Sequence, residues 1–506
     1  MTATANYVAV DLGAASGRVM AGRWDGRRFA MEELHRFPNG GVQVGEHLYW
    51  NVLGIWSQIQ IGLSQYRGRF PESPLGIGVD AWGVDFGLLD RFGRLLANPS
   101  HYRDRRTTGV PEKVFARVPE QRILAETGAH TMQINTLFQL YSMVEANDPL
   151  LAAGERLMMI PDLFTYFLSG DKIIEYTEAT TTQMFSPARH DWARAMLDEL
   201  GIPTRILPQP TRPGTVLSPV QGQLLKECGL QHSFPVIAVA SHDTSSAVAA
   251  IPNMSEDSVF LSSGTWSLMG VELREPDTSE RVLQLGFTNE GGADGSFLLL
   301  KNMTGLWIVQ ECVRQWKTEG SDYSWAALTA RAGAVRAFQC LIDPDAEEFQ
   351  APCDMPAAIR RYCLDSNQPV PETVGEIARC AFESLSLKYR SVLDSLESVT
   401  GREFRTIRIV GGGCMNQLIC QMIADACCRQ VVSGPVEAGA LGNVLLQAIA
   451  RGQLADVHSG RSAIGESVQC STFDPHPCSG WDEAYARFRR LEADGSNRAA
   501  AKTTAG

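Results

Sequence analysis

The chain opens with apolar, β-branched positions broken by short polar turns. Tyr7-Val-Ala-Val-Asp11 predicts a buried strand, Leu12 to Ser16 a small-residue turn, and Gly17 to Trp24 a second strand. Asp25-Gly26 is a hairpin signal ahead of a third extended run, Phe29 to Phe37. Leu75-Gly-Ile-Gly-Val-Asp80, the turn Ala81-Trp-Gly83 and Val84 to Asp90 repeat the strand, turn, strand pattern. Residues 111 to 170 carry helical periodicity. Prolines at 203, 208, 210 and 213 predict a stiff irregular connection before the strand Phe234 to Ala240. The small residues Ser246 to Ala250 then predict a helix beginning just after Ser241-His-Asp-Thr-Ser245.

The second half begins as the first does, with strand Ser258 to Leu261, turn Ser262-Ser-Gly-Thr265 and strand Trp266 to Val271. We place a domain boundary near residue 250 on this duplication. Thr373-Val-Gly-Glu376 is a capping box, in which each side chain satisfies a backbone amide of the other residue. The apolar positions after it (374, 377, 378, 381, 382, 385, 389, 392 and 396) follow a 3.6-residue period and predict a long helix. Arg405 to Val410 reads as a strand, Gly411-Gly-Gly413 as a turn, and Met415 to Cys428 as a helix. The small, mostly uncharged stretch from Ala499 is expected to be disordered.

A length of 506 residues predicts several domains, and 44% hydrophobic against 20% charged residues supplies a large core. Lysine plus arginine number 45 and aspartate plus glutamate 57, a net charge of −12, so the basic footprint of a general nucleic-acid binder is missing. No apolar run approaches the ~18 residues of a membrane span, and no basic n-region precedes an apolar stretch at the start, so the expected location is the cytoplasm. The twelve cysteines form no Cys-x-x-Cys pair. We expect reduced, packed thiols, with no metal site and no disulfide at Cys427-Cys428 or between Cys363 and Cys380.

Four turns have the composition of ligand sites. Asp11-Leu-Gly-Ala-Ala-Ser-Gly-Arg18 lets backbone amides come close to a phosphate or is a plain hairpin with a solvated aspartate; it is neither a Walker A loop nor a dinucleotide fingerprint. Ser262-Ser-Gly-Thr265 offers hydroxyls and amides for phosphate oxygens or is a second hairpin. Gly411-Gly-Gly413 admits a flat ligand against the main chain, at a helix N-terminus that favours an anion. Ser241-His-Asp243 is no hydrolase triad, because neighbouring side chains in an extended segment point to opposite faces. Asp243 is then either a single general base or the cap of the following helix. Trp82-Gly83 and Lys301 to Trp307 are aromatic and polar clusters of the kind that line sugar sites or fill cores.

Together these segments resemble the FGGY carbohydrate kinases, the sugar-kinase branch of the actin, hexokinase and heat-shock chaperone superfamily, and within it the L-rhamnulose kinases. The resemblance is carried in order by Val8 to Met20, His35-Arg-Phe37, Ala81-Trp-Gly-Val-Asp-Phe86, Tyr102-Arg-Asp104, Glu178-Ala-Thr-Thr-Thr-Gln183 and Ala240-Ser-His-Asp-Thr244. It continues through Leu261 to Gly270, Thr288-Asn-Glu-Gly-Gly292, Leu300-Lys-Asn302, Gly305-Leu-Trp307, Ile409 to Cys414, Gly434-Pro-Val-Glu-Ala438 and Leu441-Gly-Asn443.

The resemblance implies an α/β protein of two actin- or hexokinase-like (ribonuclease H-like) domains, each a mixed sheet flanked by helices, closing over a cleft. An N-terminal domain at 1–250 would carry the sugar site, the first phosphate turn and the base; residues 251–480 would form the nucleotide domain, and 481–506 a helix and disordered tail. It further implies ATP-dependent phosphorylation of L-rhamnulose at the carbon-1 hydroxyl, a small-molecule ketose being the partner, with no nucleic acid or membrane. Asp243 would accept the proton. Gly13, Ala14, Ala15, Ser16, Gly17, Thr265, Gln310 and Gly412 would contact ATP, and Gly83, His242, Thr244 and Asn302 the sugar. Asp11 would organise hydrated Mg²⁺. The alternatives are a kinase for another ketose such as L-fuculose and, more remotely, a non-catalytic ATP-binding switch of the same fold. The stretches around 270–290 and beyond 480 match the family less closely.

Overall fold

The computed structural model describes residues 4–350, 352–477 and 480–505, with side chains described to residue 494. Its main elements in chain order are β1 (Ala5–Leu12), β2 (Ser16–Trp24), β3 (Phe29–Pro38), α1 (Val52–Arg69), β4 (Ile77–Ala81), α2 (Tyr176–Thr181), β5 (Thr215–Pro219), β6 (Pro235–Ala238) and α3 (Asp243–Ala249). They continue with β7 (Ser258–Ser263), β8 (Trp266–Leu273), β9 (Thr288–Gly291), β10 (Phe297–Thr304), α4 (Trp307–Thr318), α5 (Met355–Asp365), α6 (Val374–Thr400), β11 (Thr406–Val410), α7 (Gln417–Cys427) and β12 (Gln430–Ser433). Last come α8 (Ala438–Ala450), α9 (Val457–Ser467), β13 (Ser471–Phe473) and α10 (Trp481–Ala505). No helix among the described residues is long and apolar enough to cross a membrane.

The chain folds into two compact units that do not follow chain order. The first takes 4–253, 272–300 and 437–468; the second takes 254–271, 301–436 and 469–505. The simple division near residue 250 is therefore incomplete, because two later segments belong with the first unit. Their side chains show why. From α8, Asn443 bonds Asp80 at 2.6 Å and Gln447 bonds the Val8 carbonyl at 2.8 Å. From β9, the Gly291 amide donates to Thr180 Oγ1 at 2.9 Å, and its carbonyl accepts from Ser245 Oγ at 2.7 Å.

The first unit is built on a six-stranded sheet of order β5-β6-β4-β1-β2-β3. β1 runs antiparallel to β2 and parallel to β4, so Asp11 faces Arg18 on one side and Asp80 on the other. The buried strand read at Tyr7 to Asp11 lies in a sheet buried on both faces: Val8, Val10 and Val79 on one face and Tyr7 and Ala9 on the other are all 0% exposed. α1 covers one face through Ile55, Ile59 and Leu63. The Asp25-Gly26 turn is a tight hairpin in which Asp25 Oδ1 accepts the amides of Arg27 and Arg28, and Gly26 has φ of 95°.

The second unit repeats the same device. β7 runs antiparallel to β8 and parallel to β11, within the order β8-β7-β11-β12-β13. The duplication expected from the two half-sequences is thus a duplication of strand pairing. Long helix α6 carries the expected capping box and ends at Gly401 with φ of 64°. It is not simply amphipathic: Leu387, Glu383 and Lys388 are buried as well as the predicted stripe. The buried charges are paired, Glu383 with Arg379 at 2.7 Å and Lys388 with Asp343, Asp345 and Glu492. At the C-terminus, expected disorder from Ala499 is replaced by helix through Ala505, in keeping with the helix propensity of its alanines; Gly506 lies outside the described residues.

Candidate active site

In the first unit, the carboxyl ends of three neighbouring strands deliver three aspartates to one place, where open α/β sheets bind their ligands. β1 ends in Asp11-Leu12, β4 in Asp80-Ala81, and β6 leads into Ser241-His242 and α3, which begins at Asp243. The Ala81 amide donates to the Ser241 carbonyl at 2.8 Å and Ala81 bridges His242, so β4 sets the position of the turn that carries Asp243.

The three carboxylates feel one another. Burial first, then Asp11 and Asp243, raise the Asp80 pKa well above the usual carboxylate value, while the Asn443 amide opposes the shift. Asp243 is likewise raised, by burial and by Asp11 against the opposing pull of His242, although about a third of its side chain reaches solvent. Asp11 has its own counterion, Arg18 at 2.6 Å, and Arg18 also pairs with Glu437.

The arrangement around Asp11 and Asp80 fits a hydrated divalent cation. Asp80 Oδ1 is buried with no hydrogen-bond partner. A Cβ added at Gly439, in the first turn of α8, would stand 3.4 Å from both Asp11 Oδ2 and Asp80 Oδ1, so the two carboxylates face one spot beside that glycine. Hard oxygen donors, one or two carboxylates with waters, are what Mg²⁺ takes.

The cap position of α3 belongs to His242, whose side chain makes no capping bond; Asp243 is the first helical residue and accepts the Thr244 hydroxyl at 3.1 Å. His242 is itself held by acids. Its Nδ1 lies 3.1 Å from Glu290 Oε2 and its Nε2 3.6 Å from Asp243 Oδ1. Burial works against a charge on the ring, yet Glu290, Asp243 and Glu175 outweigh it and raise the His242 pKa. Beneath the turn, Glu175 Oε2 accepts the Ser241 amide at 3.0 Å, and Thr177 Oγ1 accepts the His242 amide at 3.0 Å. Burial pushes Glu175 up to about 7 and, with Asp162 and Glu175, drives Glu178 well above its usual range.

Gly83 stands in a tense corner. A Cβ there would meet Thr181 at 2.8 Å, and the next residue, Val84, has φ of 68°. A β-branched residue in that region is a true outlier, kept only where its surroundings hold it. Here Thr181 Oγ1 accepts the Val84 amide, and Thr136 and Gln139 donate to its carbonyl. Buried Asp85 gathers the indoles of Trp50 and Trp82 at 2.5 and 3.1 Å; its pKa is pushed up to about 6 by burial.

The Gly13–Gly17 turn is open, with Ala15 exposed and Ala14 and Ser16 half-buried. Asn39 braces it through bonds to the Gly13 and Ala15 carbonyls. Gly17 is a packing requirement, since a Cβ would fall 2.3 Å from the Phe37 ring, and its role in letting a phosphate approach is not needed to explain it.

In the second unit, the Gly264 and Thr265 carbonyls accept the amides of Leu306, Gly305 and Trp307, locking the turn to the start of α4. Thr265 Oγ1 donates to Gln310 Oε1 at 3.1 Å, so two residues far apart in sequence meet. The glycine triplet divides by cause. Gly411 and Gly413 press on Ser263, at 2.9 and 2.1 Å from a would-be Cβ, whereas Gly412 is exposed and has open space before it. The triplet does not itself open α7: it forms a short 3₁₀ turn, and Asn416 caps the helix through the Ile419 amide. Asn302 lies half-buried on β10 in this unit.

Comparison with known proteins decides the family. The N-terminal domain of the FGGY family of carbohydrate kinases matches residues 6–250, and its C-terminal domain matches 259–451. The chain belongs to the FGGY carbohydrate kinases. Among its relatives, a rhamnulokinase of Bacteroides thetaiotaomicron is 40% identical over 484 residues, covering 96% of this chain and 99% of the relative. A rhamnulokinase of Enterobacter sp. is 40% identical over 486 residues, covering 95% and 96%. Among solved structures, a gluconate kinase from Lactobacillus acidophilus superposes with a TM-score of 0.79 at 16% identity, covering 99% of this chain and 98% of that one. A xylulose kinase from the same species gives 0.78 at 16% identity, covering 98% of each. These distant neighbours share the two-domain FGGY fold.

The sequence reading missed Asp80, Asn443 and Glu290, although Asn443 and Glu290 lie in segments that carried the family resemblance. A signal for Asp80 was present, since it ends a buried strand as Asp11 does.

Proposed function

We propose that the protein transfers the γ-phosphoryl group of ATP to the carbon-1 hydroxyl of L-rhamnulose, giving L-rhamnulose 1-phosphate and ADP. The observation that carries this reading is identity of 40% to rhamnulokinases across nearly the whole chain. The aspartate of Ser241-His-Asp243 supports it, standing at a strand end with part of its carboxylate open to solvent.

In this reaction the sugar hydroxyl oxygen bonds to the γ-phosphorus, the bond from that phosphorus to the β,γ-bridging oxygen breaks, and the hydroxyl proton passes to Asp243. The raised pKa of Asp243 makes it a better proton acceptor than an ordinary carboxylate. His242, poised by Glu290, and the strained Gly83 corner are assigned to the sugar, with Thr244 holding Asp243 and Asn302 a further sugar contact. Thr265, Gln310, Gly412 and the Gly13–Gly17 turn, Ala14, Ala15 and Ser16 included, are assigned to ATP. Asp11 and Asp80 would hold Mg²⁺, which when bound supplies charge neutralisation to the phosphates. The reading places the enzyme in the cytoplasm, where ATP is supplied.

The test is ADP release with L-rhamnulose, L-fuculose, xylulose and glycerol in turn. Turnover highest with L-rhamnulose supports the assignment. Preference for L-fuculose reassigns the sugar, and ATP hydrolysis unaffected by every sugar rejects the kinase reading.

A further inference from the structure

Helix α8 and strand β4 of the first unit face each other along two matched stripes. Gly439, Asn443 and Gln447 follow one another at four-residue intervals, so they lie on one side of α8. Gly76, Gly78 and Asp80 alternate along the β4 segment, so they share one face of the sheet. The stripes meet residue by residue. A Cβ at Gly439 would stand 3.4 Å from Asp80 Oδ1, and one at Gly78 would fall 2.7 Å from Asn443 Oδ1. One at Gly76 would fall 3.0 Å from Gln447 Oε1. The glycines at 76 and 78 therefore make room for two amide side chains, both 0% exposed.

The amides form a one-way chain. Gln447 Nε2 donates to the Val8 carbonyl at 2.8 Å and to Asn443 Oδ1 at 2.7 Å, and Asn443 Nδ2 donates to Asp80 Oδ2 at 2.6 Å. A backbone carbonyl can only accept, so it selects the Nε2 end of Gln447. That end in turn selects Asn443 Oδ1, and the Nδ2 of Asn443 must then face Asp80. Gln447 Oε1 is left buried without a hydrogen-bond partner. Reversing the group would set that oxygen against the Val8 carbonyl, acceptor against acceptor. At the far end of the chain Asp80 Oδ2 is occupied, while Oδ1 has no partner and faces Gly439 together with Asp11 Oδ2.

We propose that Gln447 is a positioning residue for the cation site: anchored to β1, it fixes the Asn443 amide and through it turns Asp80 Oδ1 toward the divalent ion. The proposal rests on the reading that Asp11 and Asp80 would hold Mg²⁺. Without the anchor Asn443 can reverse. Its Oδ1 then repels the Asp80 carboxylate and turns it from the spot beside Gly439. Groups that orient a metal ligand typically contribute roughly 10- to 100-fold in metal affinity.

The test uses the full chain without sugar or nucleotide, with Mn²⁺ as the probe and the free ion read by electron paramagnetic resonance. Gln447→Met keeps the length of the side chain and removes both hydrogen-bonding ends, so it should weaken Mn²⁺ binding by roughly tenfold or more. Asn443→Leu should weaken it at least as much. Adding Gln447→Met to Asn443→Leu should change it no further, since Gln447 acts through Asn443. In turnover, Gln447→Met should raise the Mg²⁺ needed for half-maximal rate, while kcat at saturating Mg²⁺ and the sugar KM hold. Each variant is checked for folding, and Gln447→Asn, whose amide falls one methylene short, stands in where Gln447→Met does not fold. Unchanged Mn²⁺ affinity in a folded Gln447 variant overturns the proposal, as does a further loss in the double variant. Asp80→Asn separates the two readings. Unchanged affinity there overturns the cation site and the proposal with it, whereas a loss there beside an unaffected Gln447 variant rejects only the role of Gln447.

Discussion

Asp11 and Asp80 sit opposite each other in the parallel pairing of β1 and β4, both facing the bare α-carbon of Gly439. Two acids this close without a cation oppose each other's ionisation, and Asp80, which is 0% exposed, bears the shift. Because its folded pKa lies above the unfolded one, the folded chain holds that proton more tightly. The stability so gained is complete below the ordinary carboxylate range and is lost as pH rises through the raised value.

Asp80→Asn should therefore raise the thermal midpoint of metal-free protein at neutral pH and flatten its fall between acid and neutral pH. Added Mg²⁺ should narrow the difference. The same variant should need roughly tenfold or more Mg²⁺ for half-maximal turnover. A lower midpoint in the variant at neutral pH would count against the raised pKa.

His242 and Glu290 give a second pH dependence of the same sign. The raised histidine pKa contributes stability that is fully present below the ordinary imidazole value and disappears as pH climbs past the folded one. Glu290→Gln should move the His242 titration down by about one pH unit or more, read by NMR of the ring protons. The sugar KM should rise while the ATP KM stays near its original value.

Two glycines of α8 should behave differently. At Gly442 a Cβ would stand 1.8 Å from the Ser246 carbonyl oxygen, a backbone atom of α3. Gly442→Ala must push α3 and Asp243 away and should cost about 1–3 kcal/mol or more of stability, seen as a lower thermal midpoint. Gly439→Ala meets nothing nearer than 3.4 Å. Its fold should survive, while the new methyl crowds the two carboxylates and cuts turnover.

Thr265→Ala removes the hydroxyl that bonds Gln310 and, on our assignment, an ATP phosphate. Loss of one hydrogen bond to a charged group is worth about 1.5–3 kcal/mol, so kcat/KM for ATP should fall by roughly 10- to 100-fold. Steady-state kinetics with ATP varied at saturating sugar reads it directly, and the sugar KM serves as the control.

The local structure was legible where its cause was local. Thr373 and Glu376 announced the start of α6, Asp25-Gly26 the first hairpin, and the two strand-turn-strand runs the duplicated pairing. Asp11 and Asp243 were found because each closes an apolar run. Asp80 closes one too, but its meaning comes from register with Asp11, a long-range fact. The return of α8 to the first unit rests on Asn443 and Gln447 reaching β4 and β1, which periodicity along α8 does not encode. Glu290 was hidden for the same reason, because its partner His242 lies on another element. Cys363 and Cys380 were weighed as a pair and set aside as packing thiols.

On the proposed function, a carboxylate at position 243 takes the proton from a sugar hydroxyl as ATP gives up its terminal phosphoryl group. The direct measurement is L-rhamnulose 1-phosphate formed from ATP and L-rhamnulose by the unaltered protein and by Asp243→Asn, each checked for folding. We expect sugar phosphate from the former and a rate lower by roughly 10²–10⁴ from the latter. Comparable rates from both would contradict the claim.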